Sequence, residues 1–458
     1  MSRKNKKKIP DGPEVPFCPH FEECGGCTYQ RFTYEGQKTE KLNKVQRLVS
    51  EVCPDFPLYE CLDSPRQIGY RNKMEFSFGD QEKDGPLTLG LHQRGSFYNV
   101  VPIYDCQIVD ADYRSILWAC LQFFRELGIP YVHKRSHEGV LRHLVIRKSV
   151  ATGEIMVVLV TSSQGLSDYP GEFTGVEATG SQGPGDYPGE QIGVEVTSGS
   201  SVGSSEVGTD ISDVSMIPDW EFSWIPDLVE RLTLLDLYGR ITGIIHVIND
   251  SLADVVKSDR TVLLYGRDWI EERLLGLSFK ITPFSFFQTN STGAEVLYSV
   301  VRDYIGDLSG KTVYDLYSGT GTIAQMLAKV AKRVVGVEIV EEAVEAAREN
   351  AALNGLTNCE FIAGDVLQVL DDLTEPPDVM VLDPPREGIH PKALPRLLSY
   401  GVDYFVYVSC KPDSLARDLG PILAAGYKPV KAVCVDMFPW TKHVETCVLL
   451  SKTSVSAV

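Results

Sequence analysis

The chain has 458 residues, 43% of them hydrophobic, and a formal net charge of -18 at pH 7. That length exceeds one ordinary core, so two or three domains are expected. No apolar run approaches the ~18 to 20 residues of a bilayer span and no apolar segment follows the basic N-terminus, which excludes a membrane helix and a secretory leader and leaves a cytoplasmic protein with no membrane partner as the expectation.

The acidity is local. Residues 1–160 carry 22 Lys+Arg against 20 Asp+Glu, whereas 161–220 carry ten acidic residues and no basic one, so the global charge does not exclude RNA. Arg3, Lys4, Lys6, Lys7 and Lys8, followed by Pro10, Pro13 and Pro16, predict a disordered basic tail over residues 1–16. Next, over 17–59, come a cysteine cluster and a helix. Cys18, Cys24 and Cys27 lie within ten residues, and Cys106 is the fourth candidate thiol. In a reducing compartment such spacing points to a metal more than to disulfides, and four thiolates suit zinc as well as an iron-sulfur cluster. His20 is spaced as a substitute ligand. From Tyr34 to Val52, Leu42, Val45, Val49 and Val52 recur at helical spacing.

Residues 60–275 read as a mostly antiparallel, β-rich central domain. Its strand signals are Met74–Phe78, Leu87–Leu91, Leu144–Arg147, Ile155–Val160, Gly243–Ile248 and Val262–Tyr265. Within it, 162–215 is rich in Gly, Ser, Pro and acids, and Asp168-Tyr169-Pro170-Gly171-Glu172 returns as Asp186-Tyr187-Pro188-Gly189-Glu190. Two copies cannot build a solenoid, so this segment is expected to be a disordered insertion in a hairpin of the sheet.

Residues 276–458 alternate apolar strands with helical stretches, predicting an α/β domain with a parallel, Rossmann-like sheet. Strands are expected at Thr312–Asp315, Arg333–Glu338, Glu360–Ile362, Val379–Asp383 and Phe405–Ser409. Asp315 leads into a loop containing Tyr317, Gly319, Gly321 and Thr322. That loop lacks the third glycine of a dinucleotide fingerprint, and its acidic entry repels phosphate while attracting an amino group. Glu338 ends the next strand, where a carboxylate can accept two ribose hydroxyls, and Asp365 ends the third, beside an expected adenine. Together these features resemble the class I S-adenosylmethionine-dependent methyltransferases, whose cofactor is cationic and lacks phosphate.

Asp383-Pro384-Pro385-Arg386 resembles a further motif of that class with arginine in place of the aromatic residue, which argues against an exocyclic nitrogen acceptor. Carbon 5 of uracil needs activation, and addition of a thiolate to carbon 6 makes it enolate-like. Cys410 can supply the thiolate, with Arg386 helping electrostatically, and Glu445 can remove the carbon 5 proton. Asp383-Pro384-Pro385-Arg386, Val408-Ser409-Cys410 and Asp436 to Glu445 are similar to successive motifs of the RNA uracil-5-methyltransferases. The resemblance implies Cys410 as nucleophile and Glu445 as base. It also implies that Gln288, in Phe286-Phe287-Gln288-Thr289-Asn290, binds S-adenosylmethionine alongside Tyr317, Glu338, Asp365 and Asp383.

The cysteine spacing resembles that of cluster-containing members of the same family, which implies a [4Fe-4S] cluster on Cys18, Cys24, Cys27 and Cys106. Larger members begin with a small β-barrel RNA-binding domain, where this chain has about sixteen residues; RNA grip is therefore expected from the tail, the central sheet and the cleft. Tyr70-Arg71-Asn72-Lys73 and Arg142-His143-Leu144-Val145-Ile146-Arg147 are the candidate contacts. Cluster-bearing bacterial relatives mostly modify large-subunit ribosomal RNA, so 23S RNA is the expected substrate and transfer RNA the alternative. Cytosine-5 methylation is opposed by Ser409, where proline is typical, and a non-catalytic module by the presence of Cys410 and Glu445. A monomer is expected.

Overall fold

The structure is a computed structural model that describes residues 18–163, 222–251, 259–373 and 375–452. The expected tail and nearly all of the acidic insertion lie outside the described residues. None of the helices among the described residues is long and apolar enough to cross a membrane.

The C-terminal half forms the expected α/β layer. Its strands are β11 (Thr312–Leu316), β12 (Arg333–Glu338), β13 (Cys359–Ala363), β14 (Val379–Leu382), β15 (Tyr404–Ser409), β16 (Lys428–Val435) and β17 (Glu445–Ser451). The first five pair in parallel, whereas β17 lies antiparallel between β15 and β16. Apolar side chains on both faces of β14 and β15 are buried, which is why those segments read as unbroken apolar runs.

Two N-terminal elements depart from the expected boundaries. Helix α1 (Tyr34–Ser50) and strand β1 (Leu58–Leu62) belong to this layer, because β1 pairs in parallel with β16 and Val45, Val49 and Leu58 share a core with Leu415 and Leu419. The sheet thus draws its edge strand from the start of the chain. The hairpin of β9 (Ile270–Leu274) and β10 (Leu277–Ile281) straddles the boundary expected at 275 and packs with the C-terminal core.

The central sheet contains β2 (Lys73–Gly79), β3 (Thr88–His92), β4 (Val100–Pro102), β5 (Leu141–Lys148), β6 (Glu154–Thr161), β7 (Arg240–Ile248) and β8 (Arg260–Gly266), in the order β4-β3-β2-β5-β6-β7-β8. Its pairs are antiparallel except β6 with β7, which are parallel. The segment between those two strands therefore cannot be a hairpin, contrary to expectation: parallel neighbours need a crossover, and helix α3 (Ile225–Thr233) lies within it. One face of the sheet packs on helix α2 (Ala111–Leu127), α3 and the cysteine segment; on the other, Val145, Val158 and Val247 meet Phe279 and Phe287 of the C-terminal half.

Candidate active site

The carboxyl ends of β11 to β15 converge on one cleft. Asp315, fully buried on β11, accepts from the Ala324 amide with Oδ2, while its Oδ1 has no hydrogen-bond partner among the described residues. Burial, then the neighbouring charges of Asp383 and Glu338, push its carboxyl up to about 8. Tyr317 follows in the left-handed region at φ 68°, unusual for a side chain of that size and an observed site of local strain. Gly319 donates its amide to Glu338, whose carboxylate also accepts from the amides of Ile339 and Val340. Gly321 is required sterically as well as by its φ of 72°: a Cβ there would stand 2.5 Å from the Phe361 ring.

Asp365 caps helix α7 (Val366–Asp372) by accepting from Leu367. Gln288 lies at the foot of helix α4 (Ser291–Ile305), its carbonyl fixed by Asn72, and Thr320 hydroxyl reaches the Phe286 carbonyl. Gln288, Tyr317, Gly319, Glu338 and Asp383 are each half-buried and Asp365 is exposed, whereas Thr322, first residue of helix α5 (Thr322–Ala328), is buried. The acidic wall and the orphaned Asp315 oxygen suit a cationic ligand with amino and hydroxyl donors, so the residues present fit S-adenosylmethionine.

Cys410 and Glu445 meet across the β15–β17 pair. Val408 faces Cys447 and Ser409 faces Thr446 on the last rung, so Cys410, just past the end of β15, lies beside Glu445, whose charge acts on it. Asp383 and Arg386 complete the surroundings, as the electrostatics show. Burial, then Glu445 and Asp383, push the Cys410 thiol up to about 11, and Arg386 pulls it down. Burial and Asp383 push Glu445 up to about 8, again opposed by Arg386. Burial alone carries Asp383 up to about 7. Arg386 thus acts in the expected direction without outweighing burial. The thiol is neutral at pH 7, and forming the thiolate requires a base or the approach of positive charge. Gly388 gives the motif its shape: at φ 76°, its Cβ would stand 2.4 Å from Arg417 Nη2 and 2.6 Å from Asp418 Oδ2.

Cys18, Cys24, Cys27 and Cys106 are all buried in one core cluster, and burial followed by the charges of Cys106, Cys24 and Cys18 pushes Cys27 up to about 12. The four soft donors share one core, yet no group of three or more His, Cys, Asp or Glu among the described residues stands in a metal-holding arrangement. His20 is engaged elsewhere, its Nε2 accepting from the amides of Tyr104 and Asp105. Arg94 donates to the carbonyls of Phe21, Cys24 and Cys27, bracing the segment without touching its sulfurs.

The expected RNA contacts need correction. Tyr70, Arg142, His143 and Arg147 are buried. Arg142 donates to the carbonyls of Asn249 and Ser251, and Arg147 to those of Pro283 and Ser285, so these guanidiniums hold loops together. Sequence reasoning also missed Gln37 and Lys41, which hold the segment preceding Glu445: Trp440 amide donates to Gln37 Oε1 at 2.6 Å, and Lys41 pairs with Asp436. The signal was available, because Gln37, Lys41, Val45 and Val49 form one buried row at intervals of four.

A Rossmann-like sheet whose acidic cleft opens beside a paired thiol and carboxyl defines an S-adenosylmethionine-dependent methyltransferase. Residues 250–453 match the family model for tRNA (uracil-5-)-methyltransferase. An uncharacterised RNA methyltransferase of Clostridium tetani is 45% identical over 95% of this chain and 83% of the relative, and one of Caldanaerobacter subterraneus is 41% identical over 95% and 84%. Among solved structures, the tRNA (uracil-54, C5)-methyltransferase of Pyrococcus abyssi in complex with S-adenosyl-L-homocysteine is 27% identical, with a TM-score of 0.66 over 93% of this chain and 86% of that one. The chain belongs to the RNA uracil-5-methyltransferase family and is an RNA methyltransferase.

Proposed function

We propose that this protein methylates carbon 5 of a specific uridine in large-subunit ribosomal RNA, with Cys410 as nucleophile and Glu445 as base. The observation that supports the reading is the β15–β17 register, whose last rung, Ser409 with Thr446, leaves Cys410 and Glu445 side by side at the strand ends. S-adenosylmethionine, when bound, supplies the electrophilic methyl group; Gln288, Tyr317, Gly319, Thr322, Glu338, Asp365 and Asp383 are the residues that hold it.

Cys410 sulfur bonds to carbon 6 of the uracil and carbon 5 gains carbanion character. After carbon 5 has taken the methyl group, Glu445 removes its proton, the carbon 5–carbon 6 double bond re-forms and the sulfur leaves. With a value raised to about 8, Glu445 holds that proton better than an ordinary carboxylate does. The target base must leave its stack to reach Cys410, which favours an unpaired or remodelled uridine.

The test is incubation of Glu445→Gln with ribosomal RNA from a strain lacking this protein. A slower-migrating covalent protein–RNA species that is absent from Cys410→Ala is expected; its absence would remove the base assignment. Transfer RNA from the same strain is the second arm, and preferential labelling of it would replace ribosomal RNA as substrate.

The cysteine segment is read as a structural [4Fe-4S] site on Cys18, Cys24, Cys27 and Cys106, on the resemblance of their spacing and the burial of all four thiols in one core. Anaerobic purification should give a brown protein with iron and sulfide; a colourless protein containing zinc would overturn that reading. A division into a cysteine segment, a central sheet and a methyltransferase domain is read from the two large sheets, with α1 and β1 joining the second.

A further inference from the structure

We propose that the face of β2 and β3 turned towards the methyltransferase half, together with the loop before β5, is a stacking shelf for unpaired nucleotides of the substrate RNA. The proposal rests on the reading of the protein as an RNA-modifying enzyme and adds where that RNA lies.

Alternation along β2 defines the face. Met74, Phe76 and Phe78 enter the core shared with α2, so Lys73, Glu75 and Ser77 point the other way. On the neighbouring strand Val145 shares that second face and packs beneath Phe279 and Phe287. Beside β5 this face is polar, with Ser77 hydroxyl 3.4 Å from both His92 Nε2 and His143 Nδ1, but Ser77 and His143 are buried, so on β2 Lys73 and Glu75 are the residues it exposes. Its one β2 carboxylate, Glu75, is paired with Lys73.

At its margin stand two large exposed rings, Phe97 at 59% and Tyr98 at 50% exposure. They are held out by an ordered turn rather than a loose one. Gln93 amide donates to the Asn99 carbonyl, Ser96 amide to the Gln93 carbonyl, and Ser96 hydroxyl accepts from the amides of Tyr98 and Asn99. Cations lie over the rings: Lys134 Nζ is 4.1 Å from the Phe97 centroid and Arg135 guanidinium carbon 5.1 Å from that of Tyr98. The His92 ring lies parallel to Phe97, 8° from coplanar. Rigid aromatic planes flanked by positive charge are what unpaired bases and their phosphates bind, whereas a merely solvated turn has no use for two ordered apolar rings.

The register leads from the shelf to the cleft. Ser77 pairs with Gly90 and with His143, so the loop before β5, with Lys134 over Phe97, lies at the Gly79 end of β2 and the face runs from there to the end where Lys73 begins the strand. At that end Asn72 donates to the Gln288 carbonyl, and Arg147 to those of Pro283 and Ser285, beside the exposed rings of Phe284 and Phe286. Nucleotides flanking the target uridine can run along this face while the target base enters beside Cys410.

The test is fluorescence anisotropy of the full-length protein with a labelled single-stranded oligoribonucleotide and with its duplex, alongside methyl transfer to ribosomal RNA from a strain lacking the protein. Phe97→Ala/Tyr98→Ala should lose about ten- to hundred-fold in affinity for the single strand. The duplex should be affected less, and the loss in methyl transfer should fall on KM rather than kcat. Arg135→Gln should weaken binding by a smaller factor and reduce its salt dependence. Thermal unfolding of each variant separates loss of contact from loss of fold, and Phe97→Tyr/Tyr98→Phe should restore binding. Unchanged single-strand affinity in a folded Phe97→Ala/Tyr98→Ala variant overturns the shelf, including the case where the patch instead loses a protein partner. A wild-type protein that binds the single strand through these rings but makes no 5-methyluridine overturns the reaction assignment and leaves the shelf standing.

Discussion

Lys41 Nζ, fully buried on α1, donates to Asp436 Oδ1 at 2.5 Å and to the Phe438 carbonyl at 3.0 Å. One N-terminal lysine thereby fastens the segment that leads into Glu445. The next turn residue, Trp440, sits at φ 67° and is held by the Gln37 side chain, by the Thr28 and Tyr29 amides on its carbonyl and by its own indole on the Gln67 carbonyl. Such a conformation persists where its surroundings over-determine it. Burial draws the Lys41 ammonium down and the Asp436 carboxyl up, and their mutual attraction resists both shifts.

Lys41→Met is therefore expected to destabilise the protein by about 3–5 kcal/mol, because Asp436 is left buried without its counter-charge. Lys41→Met/Asp436→Leu should regain much of that stability, since an apolar pair avoids the desolvation of two charges. The double variant should still methylate slowly, because the Phe438 carbonyl, left with Thr441 alone, has lost its tie to α1 and the turn before Glu445 is loosened. Chemical denaturation and single-turnover rates measure the two effects; full activity in the double variant would show that the clasp only stabilises the fold.

Glu272 joins the two halves. Buried on β9, its carboxylate accepts from the Ser149 and Ser291 hydroxyls and from the amides of Val150, Ala151 and Arg273. Ser291, in turn, accepts from Asn72, which also fixes the Gln288 carbonyl. Glu272→Gln replaces an acceptor oxygen by a donor among donors. It should cost about 1–3 kcal/mol in chemical denaturation and weaken cofactor binding through the displaced Gln288 segment. Unchanged affinity for S-adenosylmethionine would show that the network serves the fold alone.

The C-terminal strands were legible because strands buried on both faces are written as apolar runs: Val379 to Leu382 has no polar interruption. Helix α2 was equally legible and overlooked. Asp110 caps it, Gly128 ends it in the left-handed region, and Tyr113, Ile116, Leu117, Cys120 and Phe124 mark its buried side. The pairing of Leu58 with Ala432 and the parallel run of β6 beside β7 were not legible, since a strand's pattern records which face is buried and not which strand lies alongside. At the site, residue types announced the chemistry, but the adjacency of Cys410 and Glu445 depends on β17 inserting antiparallel beside β15. Burial of Arg142 and Arg147 escaped notice because arginine in a strand is ordinarily a solvated residue.

Asp315 gives a prediction with opposite signs for stability and binding. Its carboxyl is pushed up to about 8. Between the ordinary carboxylate value of ~4 and about 8, the unfolded chain releases a proton that the folded chain retains, so this group's contribution to stability falls as pH rises. Asp315→Asn has no such loss. The variant should match wild type near pH 5 and unfold at a higher temperature than wild type at pH 8. Its affinity for S-adenosylmethionine, measured by calorimetry, should fall about ten-fold or more, because a charge-assisted acceptor for the ligand is gone. A variant that binds the cofactor normally would remove Asp315 from the ligand set.

With Cys410 as nucleophile and Glu445 as base, as proposed, Arg386 should set the pH at which the pair becomes competent. Glu445 acts as base only when deprotonated, and Cys410 attacks only as thiolate; their values are raised to about 8 and about 11. Both competent fractions therefore grow with pH, and kcat/KM should climb on the alkaline side of neutrality. The limb belongs to the coupled set of Asp383, Cys410 and Glu445 rather than to one residue. Arg386 favours the ionised form of Cys410 and of Glu445, so Arg386→Gln raises both and moves the limb to higher pH. At pH 7, below both values, a one-unit rise in either group lowers the rate about ten-fold. The variant should be impaired about ten-fold or more at pH 7 and recover towards wild type only as the pH approaches the thiol's value of about 11, while Arg386→Lys should keep most of the original profile. If the Gln variant is uniformly slow at every pH, Arg386 contributes contact with the substrate and not charge to the thiol and carboxyl beside it.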